Sequence, residues 1–396
     1  MSQSLKPILP FTAIVGLRTL KLALVLNGIN HRIGGVLISG PKGTGKTTVV
    51  RGFADLLPEV DVVEGCRFGC SPTVPDSLCQ ECRARVASGE TLVSKKRKMR
   101  VVNLPLSTTE DRLIGSIDIE RVLRDGIQAL RPGILAEANQ NVLYVDEVNL
   151  LPDHLVDDLL DVAATKVNVI EREGISLAHP SDFILVGTMN PEEGELRPQL
   201  LDRFPLHVSI GRDLTVDERM ELVERNLAFE SDPDAFLASW QASQSELRDQ
   251  IKRAKELLDS VVLPKYALKA IAMACDALEV DGVRPDITIS KTAITNAAFE
   301  GRSEVTTEDL QMAAQLALSH RTRRGGLLEP PSPQDIDQAI SRASEVARKS
   351  DRRSSPNEVP EESDKSGRRF SGGKFGRQST YAESGKAEGK KKAPSE

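Results

Sequence analysis

Five short, almost wholly apolar runs punctuate the first half of the chain: 35–39 (GVLIS), 101–104 (VVNL), 142–145 (VLYV), 183–187 (FILVG) and 206–210 (LHVSI). Such runs suit strands covered by helices on both faces, where every side chain meets protein rather than water. Polar or helix-patterned segments separate them, which favours crossover connections and a parallel sheet. Residues 1–212 are therefore expected to form an α/β domain. From 213 to 322 the pattern is helical only. Asp217 to Phe229 opens on acidic residues, as helix N-termini prefer. The stretch LPKYALKAIAMACDALEV puts Ala267, Ile271, Ala274 and Leu278 on one face, and TTEDLQMAAQLALSH reads as a capped amphipathic helix from about Thr307. This predicts an all-α lid. From 323 to 396 the chain turns to Ser, Gly, Pro and charge, with too little apolar area to offset the entropy of ordering it, so a disordered tail is expected.

Bulk composition narrows the class without changing this layout. The 396 residues exceed one compact core, and the apolar share of 39% is that of a folded protein. A formal charge of -6 argues against a general polyanion binder, so no nucleic-acid partner is expected. The start, MSQSLKPILPF, lacks the basic and apolar regions of a secretory signal, and no run reaches the roughly 18 apolar residues of a membrane span. Five cysteines fit a reducing compartment better than a disulfide scaffold. A soluble cytoplasmic protein is expected.

The chemistry begins where the first run ends. Gly40, Pro41, Lys42, Gly43, Thr44, Gly45, Lys46 and Thr47 fit G-x-x-x-x-G-K-[ST], followed by Thr48 and a helical pattern. Glycines let backbone N–H groups turn inward around phosphates, Lys46 neutralises their oxygens, and the Thr47 hydroxyl ligates Mg²⁺. The run VLYVDEVN then places Asp146 at a strand's carboxyl end, where it holds Mg²⁺ through water, and Glu147 beside it as base for the attacking water. A strand between loop and acidic pair suggests a motor-type ATPase rather than a kinase or small GTPase. Asn190, in LVGTMNP, is suited to positioning the lytic water. Arg197 and Arg203 in LRPQLLDRF, with Asp202, and Arg284 in DGVRPDI are arginines of the kind that meet a γ-phosphate.

With these motifs in this order, the chain resembles the AAA+ ATPases and, within them, the ATPase motor (subunit I) family of magnesium chelatase. The resemblance covers about residues 8–322 and is carried by PFTAIVGLRTLKLAL, GGVLISGPKGTGKTT, VVNLPLSTTEDRLIGSIDIE, RPGILAEANQNVLYVDEVNLL and EGELRPQLLDRF. It implies a homo-oligomeric ring, a hexamer, with ATP between subunits. Arg203 would be the finger reaching the neighbour's ATP, with Asp202 at the same interface, and Arg284 the lid sensor. Ile14, Val15 and Gly16 would lie by the adenine. Residues 104 to about 136 match a projecting insertion, and 165–182 a hairpin insertion. The implied partners are a related subunit with an adhesion-type metal-binding domain and a large porphyrin-binding subunit. The implied work is Mg²⁺ insertion into protoporphyrin IX. The alternatives are a cobalt chelatase motor and a MoxR-like chaperone for metalloenzymes.

Two features depart from the family pattern: the long tail, and Cys66, Cys70, Cys79 and Cys82 in a loop at 64–84. Their spacing, C-x3-C-x8-C-x2-C, suits a tetrahedral structural Zn²⁺. An iron–sulfur cluster, a redox disulfide and plain thiols are the other readings of the same spacing. Cys275, on an apolar helix face, is expected in the core.

Overall fold

The computed structural model describes residues 7–117, 124, 130–172, 175–194, 196–211, 214–324 and 327–354. All five apolar runs are strands: Val36–Ser39, Val101–Leu104, Val142–Val145, Ile184–Met189 and Leu206–Ser209. They form one parallel sheet in the spatial order 206–209, 36–39, 184–189, 142–145, 101–104. The three inner strands are buried along their whole length. Alternate residues enter opposite cores. Val36, Ile38, Val142, Tyr144, Ile184 and Val186 join Phe11 and Phe53 on one face, while Leu37, Leu143, Val145 and Leu185 join Phe183 and Phe204 on the other. Residues that follow strands, Gly40, Asp146 and Asn190, therefore gather at the sheet's carboxyl edge, where open α/β sheets place their ligands.

Three antiparallel strand pairs interrupt the core. Val60–Val63 pairs with Ser94–Arg97 around the cysteine loop, and Gly115–Ile117 pairs with Leu130–Pro132. Val167–Arg172 pairs with Ile175–Pro180, the hairpin expected at 165–182. Of the expected insertion at 104–136, residues 118–123 and 125–129 lie outside the described residues. Lys166, at the base of the last hairpin, is tied to Asp182 at 3.1 Å.

Helices make up the lid. Val216–Ser231 starts on a Thr215–Glu218 capping box and Thr307–Leu318 on a Thr306–Asp309 one. Ala267, Ile271, Ala274 and Leu278 share a buried face of Lys265–Ala277, and Cys275 is buried beside them. No described helix is long and apolar enough to cross a membrane.

The expected tail requires a correction at its start. Pro333–Ser354 is a helix packed on Lys265–Ala277 and Thr307–Leu318. Ile336, Ile340, Ala343 and Ala347 form its buried stripe, Gln315 bonds Asp337 at 2.8 Å, and Arg348 lies over the Tyr266 ring at 4.6 Å. Four apolar residues at helical spacing suffice because the lid already presents an apolar groove for them. Residues 355–396 of the expected tail lie outside the described residues. Ile340 is fully buried, so Ile340→Ala should lower stability by about 2–4 kcal/mol, as methyl and methylene removal from a packed core does. Urea unfolding of the two proteins measures this; an unchanged midpoint would return the segment to the tail.

Candidate active site

Gly40–Thr47 wraps the amino end of helix Lys46–Leu56. Gly43 and Gly45 hold φ of +80° and +78°, a region that L side chains rarely adopt and the backbone that a loop folded around phosphates requires. Gly40 is required for a different reason: a Cβ there would lie 2.8 Å from the Ile210 carbonyl oxygen. Lys46 Nζ donates to the carbonyls of Gly40 (2.6 Å) and Pro41 (3.0 Å). Burial depresses its pKa, countered by the charges of Asp146 and Glu147.

A directed chain of hydrogen bonds links this loop to the acidic pair. Thr47 Oγ1 and the Tyr144 hydroxyl lie 3.0 Å apart, and Tyr144 donates to Asp146 Oδ1 at 3.0 Å. Thr188, from the next strand, donates to the same oxygen at 2.6 Å and accepts from the Glu147 N–H at 3.1 Å. Glu147 itself sits at φ +54°, a left-handed backbone costing a non-glycine residue roughly 1–2 kcal/mol. That turn throws its side chain away from the strand and toward Lys42, whose Nζ lies 3.3 Å from Glu147 and 2.5 Å from Glu193. The two carboxylates raise the pKa of Lys42. Tyr144 is pushed up to about 12, first by burial, so its phenol stays protonated and remains a donor.

Beside the loop opens a cleft of about 790 Å³. Ile14, Val15 and Gly16 line one wall, Pro41 to Gly45 and Thr48 the floor, and Leu214, Arg219 and Leu222 the lid side. Gly16, at φ +66°, lets the chain turn against Leu214, whose Cδ2 a Cβ would approach to 3.0 Å. An apolar slot opening onto a phosphate loop fits a nucleoside base with its phosphates.

The remaining expected residues are spread more widely. Asn190 ends strand Ile184–Met189, is buried, and its Oδ1 accepts from the Glu192 N–H at 3.3 Å. Arg203 lies on the outer face of helix Asp153–Thr165, paired with Asp157 (2.8 Å) and Asp161 (3.0 Å). Arg197 pairs with Asp153 at 2.6 Å. Asp202, beside Arg203, accepts through its carboxylate from the Thr322 hydroxyl at 2.7 Å and from the Thr322 N–H at 3.2 Å. Arg284 opens helix Arg284–Phe299, exposed, and does not line the cleft. Sequence reasoning missed Tyr144, Thr188, Glu193 and the lid residues Leu214, Arg219 and Leu222. A polar tip in a buried strand beside an acidic pair was the available signal for the first two.

Family profiles agree with this geometry. One described as AAA domain (dynein-related subfamily) matches residues 84–204, and one described as AAA lid domain matches 268–340. Sheet, loop, acidic pair and helical lid thus define an AAA+ ATPase fold. The chain is 52% identical over 336 residues to the magnesium-chelatase subunit ChlI homolog of Methanocaldococcus jannaschii, covering 84% of this chain and 91% of that one. It is 47% identical over 341 residues to magnesium-chelatase subunit ChlI of Synechocystis, covering 86% and 96%. It therefore belongs to the magnesium-chelatase subunit ChlI family. Membership favours the magnesium-chelatase expectation over the cobalt-chelatase and MoxR-like ones. Among solved structures, a chain from a complex between the BchI and BchD subunits of magnesium chelatase is 43% identical, covers 85% of this chain and all of that one, and has a TM-score of 0.48. A crystal structure of a candidate ATPase from Cytophaga hutchinsonii, 16% identical with a TM-score of 0.53 over 84% of this chain and 91% of that one, shares the fold alone.

Removing the Tyr144 hydroxyl leaves the ring in the core but breaks the link between Thr47 and Asp146. Tyr144→Phe should raise the Mg²⁺ concentration for half-maximal nucleotide turnover about three- to tenfold, the worth of one hydrogen bond. A Mg²⁺ titration with an unchanged midpoint would show the relay to be incidental.

Proposed function

We propose that this chain binds ATP with Mg²⁺ in the cleft between the phosphate loop and the lid, hydrolyses it, and uses that turnover to drive a magnesium chelatase. The observation that carries the reading is the convergence of Thr47, Asp146, Glu147 and Asn190 at one edge of a parallel sheet, in a chain of the ChlI family. The residues fit the metal. Thr47 and Asp146 are the hard oxygen donors Mg²⁺ prefers, and both Asp146 bonds fall on Oδ1, which leaves Oδ2 for a water of the metal's shell. Mg²⁺ supplies charge neutralisation on the phosphates.

In hydrolysis, water attacks the γ-phosphorus and the bond to the β-phosphate oxygen breaks. Glu147 accepts the water's proton, and Asn190 fixes its approach. Lys46 carries charge that develops on the phosphates. Gly40 to Thr48 hold the phosphate chain, and Ile14, Val15 and Gly16 hold the base. Arg203 acts in trans, completing the site of an adjacent copy in a ring, and Arg284 senses the nucleotide when the lid closes. Support for a ring comes from Arg203's position on the outer face, and from Val216, Met220, Val223 and Leu227, an exposed apolar stripe at helical spacing on the lid helix beside the cleft. The chelatase assembly adds the family's adhesion-domain subunit and the large porphyrin-binding subunit, and the reaction is Mg²⁺ insertion into protoporphyrin IX.

Arg203→Ala should lower turnover at least a hundredfold while ATP affinity stays within about threefold, because the arginine acts on a neighbour's transition state. Glu147→Gln should be equally inactive and bind ATP normally. Mixed, the two should recover activity, since the Arg203→Ala subunit brings a sound base and the Glu147→Gln subunit a sound arginine. No recovery at any ratio, with ring mixing verified by energy transfer, would refute the shared site. Combined with the other two subunits, ATP, Mg²⁺ and protoporphyrin, the chain should yield metalloporphyrin fluorescence. Silence with a competent large subunit would remove the chelatase role while leaving the ATPase intact.

A further inference from the structure

The nucleotide machinery makes no use of the cysteine loop. Cys66 and Cys70 lie on a tight turn after strand Val60–Val63, where the Cys66 N–H donates to Val63 O (3.2 Å), the Gly69 N–H to Cys66 O (3.2 Å) and the Val63 N–H to Cys70 O (2.9 Å). Gly65 and Gly69, at φ +74° and +59°, let the chain double back there. Cys79 caps helix Gln80–Ala87, and Cys82 lies in its first turn. The two arms face each other, and all four Sγ atoms lie within 4.8 Å of one another. None is in a disulfide; Cys70, Cys79 and Cys82 are buried and Cys66 is half-buried.

The spacing discriminates among occupants. A tetrahedral ion with Zn–S bonds of about 2.3 Å sets its sulfurs about 3.8 Å apart; Cys66 and Cys79 are already 3.9 Å apart. A disulfide needs about 2.05 Å and would pair two sulfurs out of a four-fold cluster. An iron–sulfur cluster holds its thiolates farther apart than one ion does, because the irons stand between them. The Cys79 N–H donates to Cys70 Sγ at 3.1 Å, a bond that stabilises a thiolate and orients it as a ligand. The helix N-terminus at Cys79 and Cys82 favours negative sulfur as well.

We propose that Cys66, Cys70, Cys79 and Cys82 bind one Zn²⁺ through four thiolates, and that this ion fastens the insertion at 60–97 to the core. Thiolates are too soft for Mg²⁺, so the site is separate from both the nucleotide's metal and the chelatase's cargo. The segment itself gives only Val63, Phe68 and Leu78 beside the cysteines to a small cluster completed by Leu130, Ala136, Ile170 and Leu177, so a closed metal site supplies stability that its own apolar area does not. What it fixes is a joint. Phe68 stacks on His179 of the 167–180 hairpin with centroids 4.8 Å apart. Asn139 donates to Phe68 O (2.9 Å), Gln140 to Gly69 O (2.7 Å) and Arg67 to Leu130 O (3.0 Å). The metal-bound turn thus braces both insertions against the strand that carries Asp146.

Full-length protein purified without added metal or chelator decides the matter by elemental analysis, expected to give close to one zinc per chain. X-ray absorption at the zinc edge should show four sulfurs at about 2.3 Å. Cys82→Ser should lose the zinc. Because that variant risks misfolding, a second measurement uses the wild-type chain: stripping the metal with a chelator should raise the rate of tryptic cleavage within 64–93 at least tenfold, reversed by Zn²⁺. Binding of a fluorescent ATP analogue should change less than twofold throughout. Less than about one-fifth of a zinc per chain, iron with acid-labile sulfide, or a disulfide found by mass after alkylation would each overturn the proposal.

Discussion

Asp146 Oδ1 accepts from two hydroxyls, Tyr144 on its own strand and Thr188 on the next, and this pair of bonds fixes the geometry on which the site depends. The direction of the bonds is determined throughout. Tyr144 and Thr188 both spend their protons on the carboxylate, so Tyr144 must accept from Thr47, and Thr188 accepts from the Glu147 N–H. This chain of bonds is part-buried, with Asp146 exposed at the strand's end, so it orders its members while leaving the carboxylate open to the site. It links three separate sequence elements, and it leaves one carboxylate oxygen and the Glu147 side chain to do chemistry. The left-handed backbone of Glu147 is retained because the Thr188 bond and the strand behind it over-determine that turn.

A second linkage runs from the lid to the arginine segment. Arg321, buried at the end of the lid's Thr307–Leu318 helix, donates to the Phe204 carbonyl at 3.1 Å and to the Asp202 carbonyl, and Thr322 holds the Asp202 carboxylate. His320 bonds the same Phe204 carbonyl at 2.9 Å. Burial pushes Arg321 down to about 10, with Asp202 opposing the shift, so the guanidinium stays charged and its donors stay engaged. Residues on both sides of Arg203 are therefore anchored to the lid rather than to the sheet alone. The lid and the segment that carries Arg203 are thus joined by side-chain bonds on both sides of that arginine.

The strands were legible because burial on both faces leaves a continuous apolar run, and all five fall within two residues of expectation. The phosphate loop and Asp146–Glu147 were legible because their chemistry demands particular residues at fixed spacing. The helix Pro333–Ser354 was not, since its stripe is two isoleucines and two alanines in an otherwise charged sequence, and composition over the whole of 323–396 hides so thin a signal. Tyr144 and Thr188 were hidden by the reverse effect: inside VLYV and ILVGTM they count as strand formers, and only the pairing of the strands shows their hydroxyls meeting at one carboxylate. Arg203, Asp202 and Arg284 were legible as residue types in order, but the ion pairs of Arg203 and the Thr322 bonds of Asp202 join segments far apart in sequence, which order does not specify.

Lys42 completes the charge logic of the loop. Its ammonium bridges Glu147 and Glu193 while Lys46 leans on two loop carbonyls, so both lysines are held by partners weaker than a phosphate chain. Ion pairs exposed to water are weakened by screening, and a carbonyl offers only a partial charge. Under the proposed function, a triphosphate in the loop would bring several full negative charges and compete for both lysines. Lys42 is the cation that stands between the phosphate loop and the Glu147 and Glu193 carboxylates, and those two carboxylates raise its pKa.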